Sequence, residues 1–181
     1  MNKTTVLGLD ISTSITGATI IQDNKVIENF IWDTRNKRKF PSLYDKAAFI
    51  RRQLIYIEEK YKIDSIYIEQ SLQSFRSGFS SAKTLSTLSR FNGIVSWLCF
   101  KMFNLQPEMI AASSARKLAG VGIKRGDNAK EKVLKFVVDN YPQIEIEYTK
   151  HGNPKPGVYD MCDSIIIGLA GSKLVGETQI T

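Results

Sequence analysis

The chain has 181 residues, of which 43% are hydrophobic and 24% charged, with a formal net charge of +7. These values fit a single folded domain over residues 1–181 and exclude a disordered or fibrous chain. Two cysteines without a Cys-x-x-Cys motif, and one histidine, exclude a disulfide framework and a His-rich zinc site. The thiols fit the cytoplasm or another reducing compartment, and no secretion signal is expected, because the start runs straight into a strand-like segment. The basic balance favours a polyanionic partner, either nucleic acid or an anionic membrane surface.

In chain order, Thr4 to Asp10 reads as a buried strand and Ser12 to Gly17 as a turn-forming run. Ala18 to Gln22 and Lys25 to Trp32 read as two more strands, joined by a turn at Asp23-Asn24. Arg35, Lys37, Arg38 and Lys39 form a basic loop that ends at Pro41. Ser42 can cap a helix reaching Tyr61, in which Leu43, Ala47, Ile50, Leu54 and Ile57 recur at helical spacing. Asp64 to Glu69 reads as a strand, Ser71 to Ser80 as a loop and Ser81 to Phe103 as a long helix. The apolar part of that helix, from Phe91, is short and carries Asn92 and Lys101, so it reads as buried and not as a membrane span. A short strand over Gln106 to Ala111 follows, then helices over Ser113 to Leu118, Asn128 to Tyr141 and Asp160 to about Leu174. The order predicts an α/β fold with a mixed five-stranded sheet, three antiparallel strands then parallel ones, flanked by helices on both faces.

Two carboxylates end apolar strands: Asp10 after Val6 to Leu9, and Glu69 after Ile66 to Ile68. An ionised carboxylate there is costly unless compensated, and strand ends of open sheets are where sites form. Capping of the following turn is the plain alternative for Asp10. Asp160 and Asp163 lie three apart on one helical face, where they repel unless a cation lies between them. A favourable position at the helix N-terminus is the plain alternative for Asp160. Four carboxylates and no histidine ligand suit Mg²⁺, with Mn²⁺ able to substitute. Two such ions about 3.5–4 Å apart can stabilise an in-line displacement at phosphorus.

Leu7-Gly8-Leu9-Asp10-Ile11-Ser12 with Thr16-Gly17, then Ile68-Glu69-Gln70, then Asp160-x-x-Asp163 ahead of an apolar helix, resemble in order and spacing the motifs of the RuvC-type Holliday junction resolvases. The resemblance runs from about Val6 to Ala170. It implies a ribonuclease H-like fold and an endonuclease that cuts four-way or otherwise branched DNA symmetrically, with two metal ions held by Asp10, Glu69, Asp160 and Asp163. It also implies a homodimer, through a helix that opens Ser81-Ala82-Lys83-Thr84-Leu85 and carries Arg90 and Gly93. Ala115-Arg116-Lys117 with Gly120-Val121-Gly122, then Ala129-Lys130, resembles the family's basic DNA-facing segment. Lys117 and Lys130 would then contact phosphate near the metals, with Lys130 in a catalytic role.

Lys124, Arg125 and Lys132 lie near that segment and join the expected DNA contacts. The run Arg35 to Lys39 matches no motif of the family. It reads either as a solvated loop or as a grip on phosphates of a duplex arm. Phe75 and Phe79 either fold into the core or stack on a base at the junction, as an aromatic of this loop does in the family; Phe75 is preferred, with Arg76 beside it on phosphate. Trp97, Phe100 and Phe103 read as core or dimer interface, and His151 as a loop residue. The extended segment from Gly120 to Ala129 departs from the family and leaves room for the relaxed specificity of its virus-encoded relatives. Two alternatives stand beside this reading: another ribonuclease H-like nuclease acting on branched DNA, and a junction-binding protein without catalysis. An actin-like ATPase also opens on a strand-end Asp and a Ser/Thr-rich turn, but the chain is too short for its second domain, so no nucleotide cofactor is expected.

Overall fold

β1 (Thr5–Asp10) and β2 (Ile15–Gln22) pair antiparallel, and β2 continues antiparallel to β3 (Lys25–Asp33). The structure is a computed structural model that describes residues 3–70 and 82–178. Asp23 and Asn24 join β2 to β3 with φ of 51° and 61°, the left-handed pair that a two-residue hairpin turn demands and that Asp and Asn tolerate best. β2 starts earlier than its composition predicts. Thr16 and Gly17 look like turn residues, yet Gly17 pairs with Asp10 in the ladder.

α1 (Leu43–Lys60) opens with a capping box, in which the Ser42 hydroxyl accepts from the Asp45 N–H and the Asp45 carboxylate accepts from the Ser42 N–H. β4 (Ser65–Glu69) lies parallel to β1. α2 (Ala82–Phe103) leads to β5 (Glu108–Ile110), which is parallel to β4 and shorter than predicted because Pro107 brings no N–H to the ladder. α3 (Ala112–Ala119), α4 (Ala129–Asn140, capped by the Asn128 side chain) and α5 (Val158–Thr178) complete the described residues. The sheet order is β3-β2-β1-β4-β5. This is the mixed five-stranded sheet that the sequence predicts.

Side chains alternate across a strand, so each strand feeds two cores. Leu7, Leu9, Ala18, Ile20, Ile66 and Ile68 pack with α1 and α2 on one face. Val6, Ile21 and Tyr67 pack with α3, α4 and α5 on the other. α5 is buried nearly all round, through Met161, Cys162, Ile165, Ile166, Ile167 and Ala170. It lies close against the sheet because glycines face it. A Cβ on Gly8 would stand 2.5 Å from the Gly168 nitrogen, and one on Gly17 would stand 2.0 Å from the Asp160 carbonyl oxygen. The Thr19 and Ser164 hydroxyls share a buried hydrogen bond of 2.7 Å across the same contact. On the opposite face of the sheet, α2 turns Trp97 and Phe100 outward at 59% and 46% exposure, so neither belongs to this chain's core. Among the described residues no helix is long and apolar enough to cross a membrane.

Candidate metal centre

Parity and register bring the first two carboxylates together. Val6, Gly8 and Asp10 share the α5 face of β1, and Tyr67 and Glu69 share it on β4. The β1–β4 register pairs Leu9 with Ile68, so the next residues along, Asp10 and Glu69, end side by side at one rim of the sheet. Asp64 fixes that register at the other end, accepting from the Thr5 N–H at 2.8 Å while its own N–H donates to the Thr5 carbonyl at 2.9 Å. Beyond Asp10 the chain is held by Thr16, whose hydroxyl donates to the Ser12 carbonyl at 3.1 Å. Behind Glu69, the buried Asn92 of α2 donates to its carbonyl at 3.4 Å. α5 then lowers Asp163 onto the pair. One carboxylate oxygen each from Asp10, Glu69 and Asp163 lies within 4.8 Å of the others.

Asp160 stands one turn earlier on α5, outside that tight group. Its charge still reaches Asp10, Glu69 and Asp163. The sequence reading of four converging carboxylates thus becomes a tight triad with a fourth beside it.

Burial raises all four carboxyls, and repulsion from neighbouring carboxylates adds to it for Asp10, Glu69 and Asp163. Asp10 is pushed well above the ordinary carboxylate range by burial first and then by Glu69, Asp163 and Asp160. Glu69 is raised to about 7 by burial and then Asp163, with Arg116 and Lys130 pulling the other way. Asp163 and Asp160 are raised chiefly by burial. An oxygen-only donor set under this repulsion fits a hard divalent cation.

A group whose pKa is higher folded than unfolded supports folding while it is protonated, and that support fades as pH rises through the folded value. For Glu69 the window runs from its ordinary value of 4.5 up to about 7. The metal-free chain will therefore lose stability between those values, and Mg²⁺ will raise Tm more at pH 8 than at pH 5.5. Melting curves in EDTA and in Mg²⁺ across pH check this. An equal metal-induced shift at both pH values would mean that the carboxyls do not share a site.

Two cations attend the cluster. Lys130, in the first turn of α4, lowers the pKa of all four carboxyls. A cation there opposes the helix macrodipole, a local cost that the carboxylates offset. Its ammonium also lies 5.7 Å from the Tyr159 ring centroid. Arg116 of α3 reaches Asp163 at 3.9 Å, and its buried Nε has no hydrogen-bond partner among the described residues. Within the basic Ala115-Arg116-Lys117 segment it is Lys117 that is expected on phosphate, yet periodicity marks Arg116. Ala112, Ala115, Arg116 and Ala119 follow the i, i+3, i+4, i+7 spacing of one face, and Ala115 and Ala119 are buried. Lys117 lies off that face and is exposed.

The other expected DNA contacts are spread over the surface. Lys124 and Arg125 are exposed in the turn before α4, and Lys132 pairs with Asp127 at 3.5 Å. Arg35 is paired with Asp33 at 2.6 Å, Lys39 lies 5.3 Å from the Phe40 ring centroid, and Lys37 and Arg38 are exposed. His151 is exposed in a hairpin closed by the Tyr148–Pro154 bridge. Phe75, Arg76 and Phe79 lie outside the described residues, as does Ser81 at the head of the long helix.

No family model and no curated protein sequence matches the chain. Solved structures do. Thermus thermophilus RuvC bound to a Holliday junction substrate superposes with a TM-score of 0.69 at 12% identity, over 96% of both chains. RuvC of Thermus thermophilus in a second structure gives 0.65 at 13% identity, again over 96% of both. The yeast mitochondrial Holliday junction resolvase Ydc2 gives 0.65 at 13% identity, over 98% of this chain and 81% of that one. The β3-β2-β1-β4-β5 sheet, the helices on its two faces and these superpositions along nearly the whole chain show that it has the RuvC-type, ribonuclease H-like fold.

Proposed function

We propose that the chain is a structure-selective DNA endonuclease that resolves four-way junctions by hydrolysing phosphodiesters in a divalent-metal-dependent reaction. The observation that carries this is the triad of Asp10, Glu69 and Asp163, three carboxylate oxygens within 4.8 Å at the strand ends of a fold shared with junction resolvases. Asp10, Glu69 and Asp163 are the holders of the ions, with Asp160 completing the set. Mg²⁺, two ions per site with Mn²⁺ able to substitute, supplies Lewis-acid stabilisation of the charge that builds up around phosphorus.

The chain's own residues account for the rest. Lys130 and Arg116 bring positive charge to where the phosphate must lie. The thiol next to the cluster, on Cys162, is buried and pushed up to about 12, so it is no nucleophile. Water attacks phosphorus directly, the bond to the 3′ oxygen breaks, and the products are a 5′ phosphate and a 3′ hydroxyl.

Symmetric cutting needs two sites. The outer face of α2, with Trp97 and Phe100, and Tyr44 of α1 at 78% exposure form an apolar surface suited to a second copy of the chain. The test is a nicking assay on a labelled four-way junction beside plain duplex, with Mg²⁺, Mn²⁺ or EDTA. Paired, ligatable nicks at symmetric positions in the junction are expected. Binding without cutting in either metal rejects the nuclease, and equal cutting of the duplex rejects the junction preference.

A further inference from the structure

Among the described residues, the basic run after β3 is the strongest charged feature that the metal centre does not absorb. β3 runs parallel to β1, since both are antiparallel to β2, so Asp33 ends at the same rim as Asp10 and Glu69. It also shares their face. Trp32 belongs to the α1–α2 core, and Ile31 lies against Gly157 just ahead of α5. With strands about 4.8 Å apart, the end of β3 lies roughly 10 Å from the end of β1. The electrostatics agree with this order across the sheet. Arg116 acts on Glu69 and Asp163, whereas Arg35 acts on Asp160. Cations therefore flank the carboxylates on both sides.

The loop is built, not merely solvated. The Thr34 N–H donates to the Ser14 carbonyl at 2.8 Å, and its buried hydroxyl donates to the Thr13 and Ser14 carbonyls at 3.2 Å. The Asn36 side-chain oxygen accepts from the Arg38 and Lys39 N–H groups at 3.0 and 3.1 Å, and the Asn36 carbonyl accepts from the Phe40 N–H at 2.8 Å. Phe40 is buried, with its ring 5.2 Å from that of Phe49. Asp33 holds Arg35 through four hydrogen bonds of 2.6 to 3.1 Å, three from the guanidinium and one from the backbone N–H. The loop thus hangs from the Thr13–Ser14 turn that follows Asp10, and the Lys46 ammonium donates to the Thr13 carbonyl as well. Lys37 crowds Lys46 with like charge. Lys37 and Arg38 are exposed, and neither side chain has a hydrogen bond or ion pair among the described residues. A rigid frame holding unneutralised cations this close favours an anion, because the ordering cost is already met before binding.

We infer that the Thr34–Phe40 loop is a pre-shaped phosphate clamp, in which Lys37 and Arg38 grip the backbone of the duplex arm on the β3 side of the cut. This rests on the chain acting on DNA, as proposed above, and says which residues hold the arm and where.

The test measures binding of the full chain to a four-way junction and to plain duplex in Ca²⁺, at a series of salt concentrations. The variants are Lys37→Ala/Arg38→Ala and the charge-preserving Lys37→Arg/Arg38→Lys. The alanine pair is expected to weaken binding about tenfold at low salt and to reduce the slope of log affinity against log salt by about 2, one per phosphate contact. The charge-preserving pair is expected to restore the slope, with Tm unchanged in both. An unaltered slope in the alanine pair, with junction binding intact, overturns the clamp alone. A wild-type chain that binds neither DNA overturns the clamp and the proposed function together.

Discussion

Asp10→Asn is expected to lower cleavage of a four-way junction by at least about 10³-fold while leaving junction binding within about threefold of wild type. The carboxylate sits at the centre of the site: Glu69 lies beside it at the rim, one residue past the last β1–β4 ladder pair, and Asp163 comes down onto it from α5. Asparagine keeps the shape and one oxygen but removes the charge that would hold a divalent ion. It leaves Lys130, Arg116 and the other cations proposed to bind phosphate. The same change has a second consequence that does not depend on DNA. Asp10 titrates well above its ordinary range because burial disfavours its charge and Glu69, Asp163 and Asp160 repel it. Removing that charge relieves them, so the metal-free variant is expected to melt about 2–4 °C above wild type at pH 8, equivalent to about 1 kcal/mol for a chain of this size. Single-turnover nicking in Mg²⁺ and melting in EDTA read the two effects separately. Cleavage at the wild-type rate would remove Asp10 from the site, and an unchanged Tm at pH 8 would remove the repulsion.

Gly17→Ala is expected to destabilise the fold by about 3 kcal/mol, lowering Tm by about 6–12 °C, and to abolish cleavage as well. An added Cβ would stand 2.0 Å from the Asp160 carbonyl oxygen, 2.4 Å from its carbon and 2.9 Å from the Met161 nitrogen. All three are backbone atoms at the start of α5, with no flexible side chain to yield. Either β2 or the first turn of α5 must move, and that turn carries Asp160, with Asp163 following one turn on. Gly176→Ala on the same helix is the control, since nothing lies within 4 Å of its added Cβ. Alanine there is expected to gain up to about 1 kcal/mol from helix propensity. Urea or thermal unfolding of the two variants decides the matter. A Gly17→Ala variant that melts within a degree of wild type would mean that the helix does not need this approach to the sheet.

These two residues show where local pattern stops informing. Asp10 and Glu69 are visible as acids at the ends of apolar runs, and the capping pair Ser42 and Asp45, the Asp23-Asn24 turn and the alternating strands are legible in the same way. Each depends on neighbours only a few residues apart. The motifs' order was enough to suggest the ribonuclease H-like class. Gly17 is not legible in this way, because a glycine between strands looks like a turn until a helix some 140 residues later in the chain lies against it. Arg116 differs from its neighbour Lys117 only in sharing the helical face of Ala112, Ala115 and Ala119.

By itself, then, the sequence determined which side chains are charged, which elements carry them and at which strand ends they stand. Only the tertiary structure decided that Asp10, Glu69 and Asp163 form the tight group with Asp160 beside it, that Arg116 and Lys130 serve them, and that the Arg35–Lys39 loop stands at the same rim. The reason is physical. Periodicity fixes the face on which a residue points, but strand order, register and the close seating of α5 on Gly8 and Gly17 fix the distances between faces. Electrostatic energies depend on those distances.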